Sequence, residues 1–372
     1  QWKDCGKMNS QALPRGGRNA VKEDIVSLPL QQLQQALADL GQPPYRAKQL
    51  FGWLHARRAQ SFDDMNNLPA ALRAKLAASW RMEQPDVVRR LQSADGTEKL
   101  LLRLHDGHTI ETVVMRYHHG VSLCVSSQVG CRMGCTFCAS GHAAFVRSLS
   151  AGEMAAQLYT AEALAGERID HLVLMGIGEP LDNFDNVMDF IAIVTDEAGA
   201  DLSMRNISLS TCGLVPMIEK LAERKLGLTL SVSLHAANDA TRSRLMPVNK
   251  AYPLARLMAA CRAYREKTGR RVSYEYALVA GQNDADTDAD ALADLLRGTD
   301  GHVNLIPVNP VLGLPATASD AGRTAAFAAR LKARGVNATV RRRLGADIDA
   351  ACGQLRLQEA GRIPEDTVAA YL

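Results

Sequence analysis

Apolar positions fall into three successive rhythms along the chain. From Leu28 to about Trp80 they recur every three or four residues, in LQQLQQALADL, YRAKQLFGWLHAR and LPAALRAKLAASW, which predicts three short helices. GQPP and FDDMNNLP break the rhythm between them. Between Val87 and Tyr117 the period shortens to two, so VVRRLQ, KLLLRLH and TIETVVMRY read as an antiparallel meander turned at ADGT and DGH. Beyond that, the short runs VSLCVSS, HLVLMG, NISLST, LTLSVSLH, VSYEYALV and HVNLIPV alternate with helical stretches such as AGEMAAQLYTAEAL and LADLLRG. Six such units predict an α/β fold with a parallel sheet and right-handed crossovers, either rolled into an incomplete (β/α)6 barrel or left as a doubly wound open sheet.

Residues 1–24 lack this periodicity and mix Gly, Arg, Lys and Asn, as a mobile leader does, and the opening Gln suits a fragmentary start. The expected order is therefore leader (1–24), helical accessory domain (25–84), antiparallel β extension (85–118), barrel (119–345) and a C-terminal loop and tail (346–372). With 372 residues, 47% of them hydrophobic, the chain can bury a full-sized core. No apolar run approaches the ~18 residues of a membrane span, and QWKDCGKMNS has no apolar signal core, so the expectation is a cytoplasmic protein without a membrane partner. A net charge of +3 argues against general polyanion binding. Only Arg57 and Arg58, Arg89 and Arg90, and Arg341 to Arg343 are dense enough to track a phosphate backbone, and solvated helix ends and strand edges explain them equally.

Eight cysteines, three of them clustered, suit metal chemistry in a reducing compartment better than a disulfide framework. The three are Cys131, Cys135 and Cys138 in GCRMGCTFCASG. Thiolates at this spacing can ligate three irons of a [4Fe–4S] cube and leave the fourth open to a small molecule. A structural zinc site would want a fourth ligand close by and paired C-x2-C arms, and a thioredoxin-like site needs only one pair. Phe137 is then the aromatic beside the last ligand, or simply a loop anchor. In a β/α barrel reactive residues gather where strands end, and there the cysteine loop, MGIGEP, ST, SLH and VNP would converge on one rim.

The strings VSLCVSSQVGC, MGIGEP, SLHAAND, LMPVNK, HVNLIPVNP and GADIDAACGQL, in this order, resemble the RlmN/Cfr family of radical S-adenosylmethionine (SAM) RNA-adenine methyltransferases. The resemblance runs from about Leu28 to Leu355. It implies the radical SAM partial barrel, a [4Fe–4S] cluster on the three cysteines, and two SAM molecules per turnover. It also implies SAM contacts at Gly178, Glu179, Ser210, Ser233, Leu234, His235 and Asn309. Cys352 would carry a methyl group, Cys124 would resolve the enzyme–RNA thioether and leave a disulfide, and Glu111 would remove a proton from the carbon being methylated. The implied substrates are the peptidyl-transferase-centre adenosine of 23S rRNA, methylated at carbon 2, and the adenosine 3′ of certain tRNA anticodons. Carbon 8 methylation, or a different radical SAM reaction, is the alternative, and a flavodoxin- or ferredoxin-type protein would supply electrons.

Without the resemblance these residues read plainly. MGIGEP is a tight turn, the Ser, His and Asn positions are satisfied core polar groups, Cys124 and Cys352 are small buried thiols, and Glu111 is a solvated strand residue. Asp347 and Asp349 would oppose ionisation of Cys352. Leu344 and Ala346 stand where many members carry Arg and Asp, and Cys5, Cys212 and Cys261 have no matching role.

Overall fold

The computed structural model describes residues 22–82, 84–308, 316–342 and 344–348. The N-terminal unit is helical, as the spacing requires: α1 (Leu30–Asp39), α2 (Tyr45–Phe51) and α3 (Ala70–Ser79). It differs from expectation twice. Glu23–Asp24, placed in the leader by composition, form a strand β1 that pairs in parallel with β2 (Trp80–Arg81). The second predicted helix widens into a π turn at Gly52–Ala56, which swings His55 inward to accept or donate at the Tyr159 hydroxyl, 2.8 Å away.

The meander is β3 (Asp86–Gln92), β4 (Glu98–Arg103) and β5 (Thr109–Tyr117). It does not stand apart from the barrel: β5 pairs antiparallel with β6 (Gly120–Cys124), so the expected boundary at 118/119 is a turn inside one sheet. After the small pair β7 (Gln128–Val129) and β8 (Arg147–Ser148), around α4 (Ala139–His142), the chain alternates regularly. α5 (Ala151–Ala165), β9 (His171–Leu174), α6 (Phe184–Thr195), β10 (Ile207–Thr211), α7 (Val215–Glu223) and β11 (Thr229–Ser233) follow. Then come α8 (Asp239–Leu245), α9 (Leu254–Thr268), β12 (Val272–Leu278), α10 (Asp286–Leu295), β13 (His302–Pro307), α11 (Ala321–Ala333) and β14 (Asn337–Val340). The ten-stranded sheet runs β14-β13-β12-β11-β10-β9-β6-β5-β4-β3, parallel from β14 to β6. β14 was absent from the sequence reading, because four residues with one buried position give a sheet-edge strand almost no apolar signal.

Register shows which face looks inward. Thr211, Val232, Tyr274, Val303 and Ala338 form one cross-strand row, buried against the helices. The neighbouring rows are polar: Ser210, Ser231, Ser273, His302 and Asn337, then Ser233, Glu275, Asn304 and Thr339. A barrel interior filled by packing carries Val, Ile and Leu. This one is lined for polar occupants, and its core lies between sheet and helices.

Chain-end chemistry completes the frame. Ser150 and Glu153 form a capping box that starts α5, and Gly166 ends it at φ +68°. Beyond β14 the chain leaves one edge of the sheet and fastens to the other: Gly345 N–H donates to Asp95 (2.9 Å), while Asp347 accepts from the Ser93 hydroxyl (2.5 Å) and Ala94 N–H (3.0 Å). Residues 341–342 and 344–348 thus belong to a strap from β14 to the β3–β4 turn.

Candidate active site in the barrel mouth

The loop after β6 is held before any ligand is considered. Gln157 on α5 clamps Ser126 through both backbone groups at 2.9 Å, and Asn183 donates to the carbonyls of Ser127 and Leu149. Gly130, at φ +79°, lets the chain pass Ala144, whose carbonyl oxygen would lie 2.0 Å from an added Cβ. From this base Cys131, Cys135 and Cys138 enter a cavity of about 280 Å³ shared with Glu179, Ser210 and His235. Burial pushes the Cys131 thiol up to about 12 and the Cys135 thiol well above its ordinary value.

Glu179 is buried on the opposite wall. One carboxylate oxygen accepts from Leu181 N–H (3.1 Å) and the other from Cys212 N–H (2.7 Å), and burial raises its pKa. The glycines before it serve the neighbouring chain rather than a ligand. A Cβ at Gly176 would strike the Val125–Ser126 backbone at 2.7 Å, and one at Gly178 the Gln128 side chain at the same distance. His235 sits at φ +53° with its Nδ1 accepting from Ala277 N–H (2.9 Å), which fixes the ring proton on Nε2; burial lowers its pKa to about 3. Its ring meets Phe137 edge-on at 4.8 Å, so Phe137 is an anchor between the cysteine loop and β11.

Of the sequence-predicted contacts, Gly178, Glu179, Ser210, Ser233 and His235 line this cavity together with the three cysteines. Leu234 does not: its side chain is in the core, with its backbone held by Glu275 and Arg242. Asn309 and Cys352 lie outside the described residues, as do Cys5, Arg343 and Asp349. Glu111 is not solvated but 1% exposed, in an ion pair with the fully buried Lys99 at 3.0 Å. Cys124 packs with Val113, Met115, Met175 and Leu344 on the inner wall beside the cavity. Asp347 accepts from Ser93 and Ala94.

Sequence reasoning missed four contributors. Cys212 lines the cavity and anchors Glu179 through its N–H. Arg242, fully buried, donates to the carbonyls of Cys212, Ser233 and Leu234 and to Asn249, tying the ends of β10 and β11 together. Glu275 accepts from Asn304 (2.8 Å) inside the barrel. Arg341 lines the same wall rather than an outer phosphate track, and Arg58 and Arg90 are likewise spent on Glu162 and Glu98. The alternation of Ser with aliphatics in NISLST and LTLSVSLH was the readable signal for the inner wall.

Two family descriptions match the chain: the ribosomal RNA large subunit methyltransferase N-terminal domain over residues 23–81, and the radical SAM superfamily over 125–293. A protein of Lachnoclostridium phytofermentans named "Probable dual-specificity RNA methyltransferase RlmN" is 47% identical over 336 residues, 90% of this chain and 94% of its own length. One of the same name from Clostridium perfringens is 46% identical over 335 residues, 90% and 96% of the two lengths. The chain belongs to the RlmN family of radical SAM RNA methyltransferases. The crystal structure of a radical SAM methyltransferase from Sphaerobacter thermophilus, 46% identical, superposes with a TM-score of 0.85 over 89% of this chain and 98% of that one.

For an RlmN-family enzyme the fold implies SAM and a [4Fe–4S] cluster, and the residues fit both. Among the described residues no three His, Cys, Asp or Glu converge on a single ion, as a zinc site would require. A cube needs no such convergence, since each thiolate takes its own iron. Thiols pushed up by burial need adjacent metal charge to ionise, and Glu179 offers an anionic wall to a cationic amine. Among the described residues no helix is long and apolar enough to cross a membrane.

Proposed function

We propose that this chain methylates carbon 2 of the peptidyl-transferase-centre adenosine of 23S rRNA and of the adenosine 3′ of certain tRNA anticodons, in the cytoplasm. The carrying observation is the inner wall itself: Cys124, Glu111 and the strap that leads to Cys352 meet beside the three-cysteine cavity. Cys131, Cys135 and Cys138 would hold the cluster, with Glu179, Ser210, Ser233, His235 and Asn309 around SAM. When bound, the cluster supplies one-electron cleavage of SAM, with electrons from a flavodoxin- or ferredoxin-type donor.

The chain's own residues then divide the work. Cys352 sulfur accepts a methyl group from one SAM by direct displacement, the chemistry of a soft thiolate. The adenine must leave its stack to reach that methyl group. Once the adduct has given up one electron, which the cluster would accept, Glu111 takes the proton from the substituted carbon. Cys124 thiolate attacks Cys352 sulfur: the S–S bond forms, the sulfur–methylene bond breaks, and the methylene carbon gains a proton. Burial pushes the Cys124 thiol up to about 11, and Arg341 opposes this. An external thiol resets the disulfide.

The test is mass spectrometry of ribosomal RNA and tRNA from cells lacking their own enzyme and expressing this one. 2-Methyladenosine at both sites is expected; 8-methyladenosine would assign the alternative regiochemistry, and no new methyladenosine would overturn the reading.

A further inference from the structure

A buried charge pair lies on the inner wall where the reaction proposed above needs a base. Lys99 on β4, Val113 on β5 and Cys124 on β6 stand in one cross-strand row, and Glu111 is two residues along β5 on the same face. Lys99 Nζ is 3.0 Å from Glu111 Oε2, with 0% and 1% of the two side chains exposed. Among the described residues, Cys124 and, from beyond β14, Arg341 stand near this pair: Arg341, Glu111 and Lys99 all act on the Cys124 thiol. Glu98, next along β4, turns to the opposite face and pairs with Arg90 and Arg116.

Removing one partner of a buried ion pair leaves the other charge uncompensated. We infer that Lys99 is the positioning residue of the base step: its ammonium holds Glu111 Oε2 at 3.0 Å and aims the carboxylate at the reacting carbon. The inference rests on the base assignment made above. The step is a proton transfer alone. The C–H bond of the oxidised adduct breaks, its electron pair returns to the ring, and the proton passes to Glu111, leaving a neutral acid beside an ammonium.

The experiment uses the full-length, cluster-loaded enzyme, SAM and a tRNA anticodon stem-loop, with Lys99→Met, Lys99→Arg and Glu111→Gln variants. Lys99→Met should still place a methyl group on Cys352, by peptide mass spectrometry, and should still form 5′-deoxyadenosine. Release of methyladenosine should fall about a hundredfold, the scale of general-base catalysis. Lys99→Arg should retain most of the wild-type rate. An unchanged rate in Lys99→Met, or a loss in Lys99→Arg as large as that in Lys99→Met, overturns the inference. Glu111→Gln at full rate would instead sink the base assignment, so the two failures are distinct. Should Lys99→Met not fold, Lys99→Gln, which keeps a hydrogen-bond donor without the charge, takes its place with the same expected loss; release at the wild-type rate overturns the inference again.

Discussion

A side chain's packing need not announce the role proposed for it. Cys124 takes its proposed role from the family resemblance alone, and its position among Val113, Met115 and Met175 looks like packing. Its Ala variant should separate the two roles: methylation of Cys352 and SAM cleavage continue, and denaturing gels show protein joined to RNA through a nuclease-sensitive bond. Free methylated RNA at the wild-type rate would make Cys124 a packing residue. Two histidines carry a second residue-scale expectation. Burial lowers both His55 and His235 to about 3 from 6.5. Both stay neutral when folded and can charge when unfolded, so their contribution is intact above pH 6.5 and drains away as pH falls toward 3, at about 1.4 kcal/mol per pH unit for each. Urea titrations of His55→Gln should show a shallower acid slope than wild type; an equal slope would place the proton uptake elsewhere.

At the scale of elements, the sequence was most readable where the period was clean. Nine of the strands and the long helices sit where the alternation put them, and the exceptions have physical causes. β14 is an edge strand with too few buried positions to register, and the π turn after α2 keeps a helical rhythm while changing its pitch. The strand-end hub on Arg242 was illegible because its partners are backbone carbonyls, which no side-chain pattern records. Arg242→Lys should therefore be severe despite keeping the charge: an ammonium cannot span four acceptors in fork geometry. Carbonyls left unpaired cost about 1–3 kcal/mol each, and SAM affinity should drop with the loosened ends of β10 and β11. Isothermal calorimetry and denaturant unfolding check both; a variant with wild-type values of each would reduce Arg242 to filler.

The whole molecule is a ring closed by its strap. The two edges of the sheet, β14 and β3, are bridged by Gly345–Asp95 and Asp347–Ser93 contacts. That closure was beyond sequence reading, since it joins residues some 250 positions apart. An Asp347→Ala/Asp95→Ala variant removes these contacts with the β3–β4 turn. With the segment before Cys352 held less closely, diamide-driven formation of the Cys124–Cys352 disulfide should slow about threefold, as effective concentration falls with a looser tether; an unchanged rate would mean the strap is decorative.

Closure by the last described residues also sets an order during synthesis. A ribosome delivers the helical unit, the meander and the parallel strands first, and the contacts of Asp347 with Ser93 and Ala94 become available only after β14 has emerged. Until then the nascent chain holds a nearly complete cofactor wall in an open half-pipe, and the sulfur proposed to receive the methyl group has not been translated. Translation order thus delivers the sulfur proposed to carry the methyl group only after the residues that fasten one sheet edge to the other have been made.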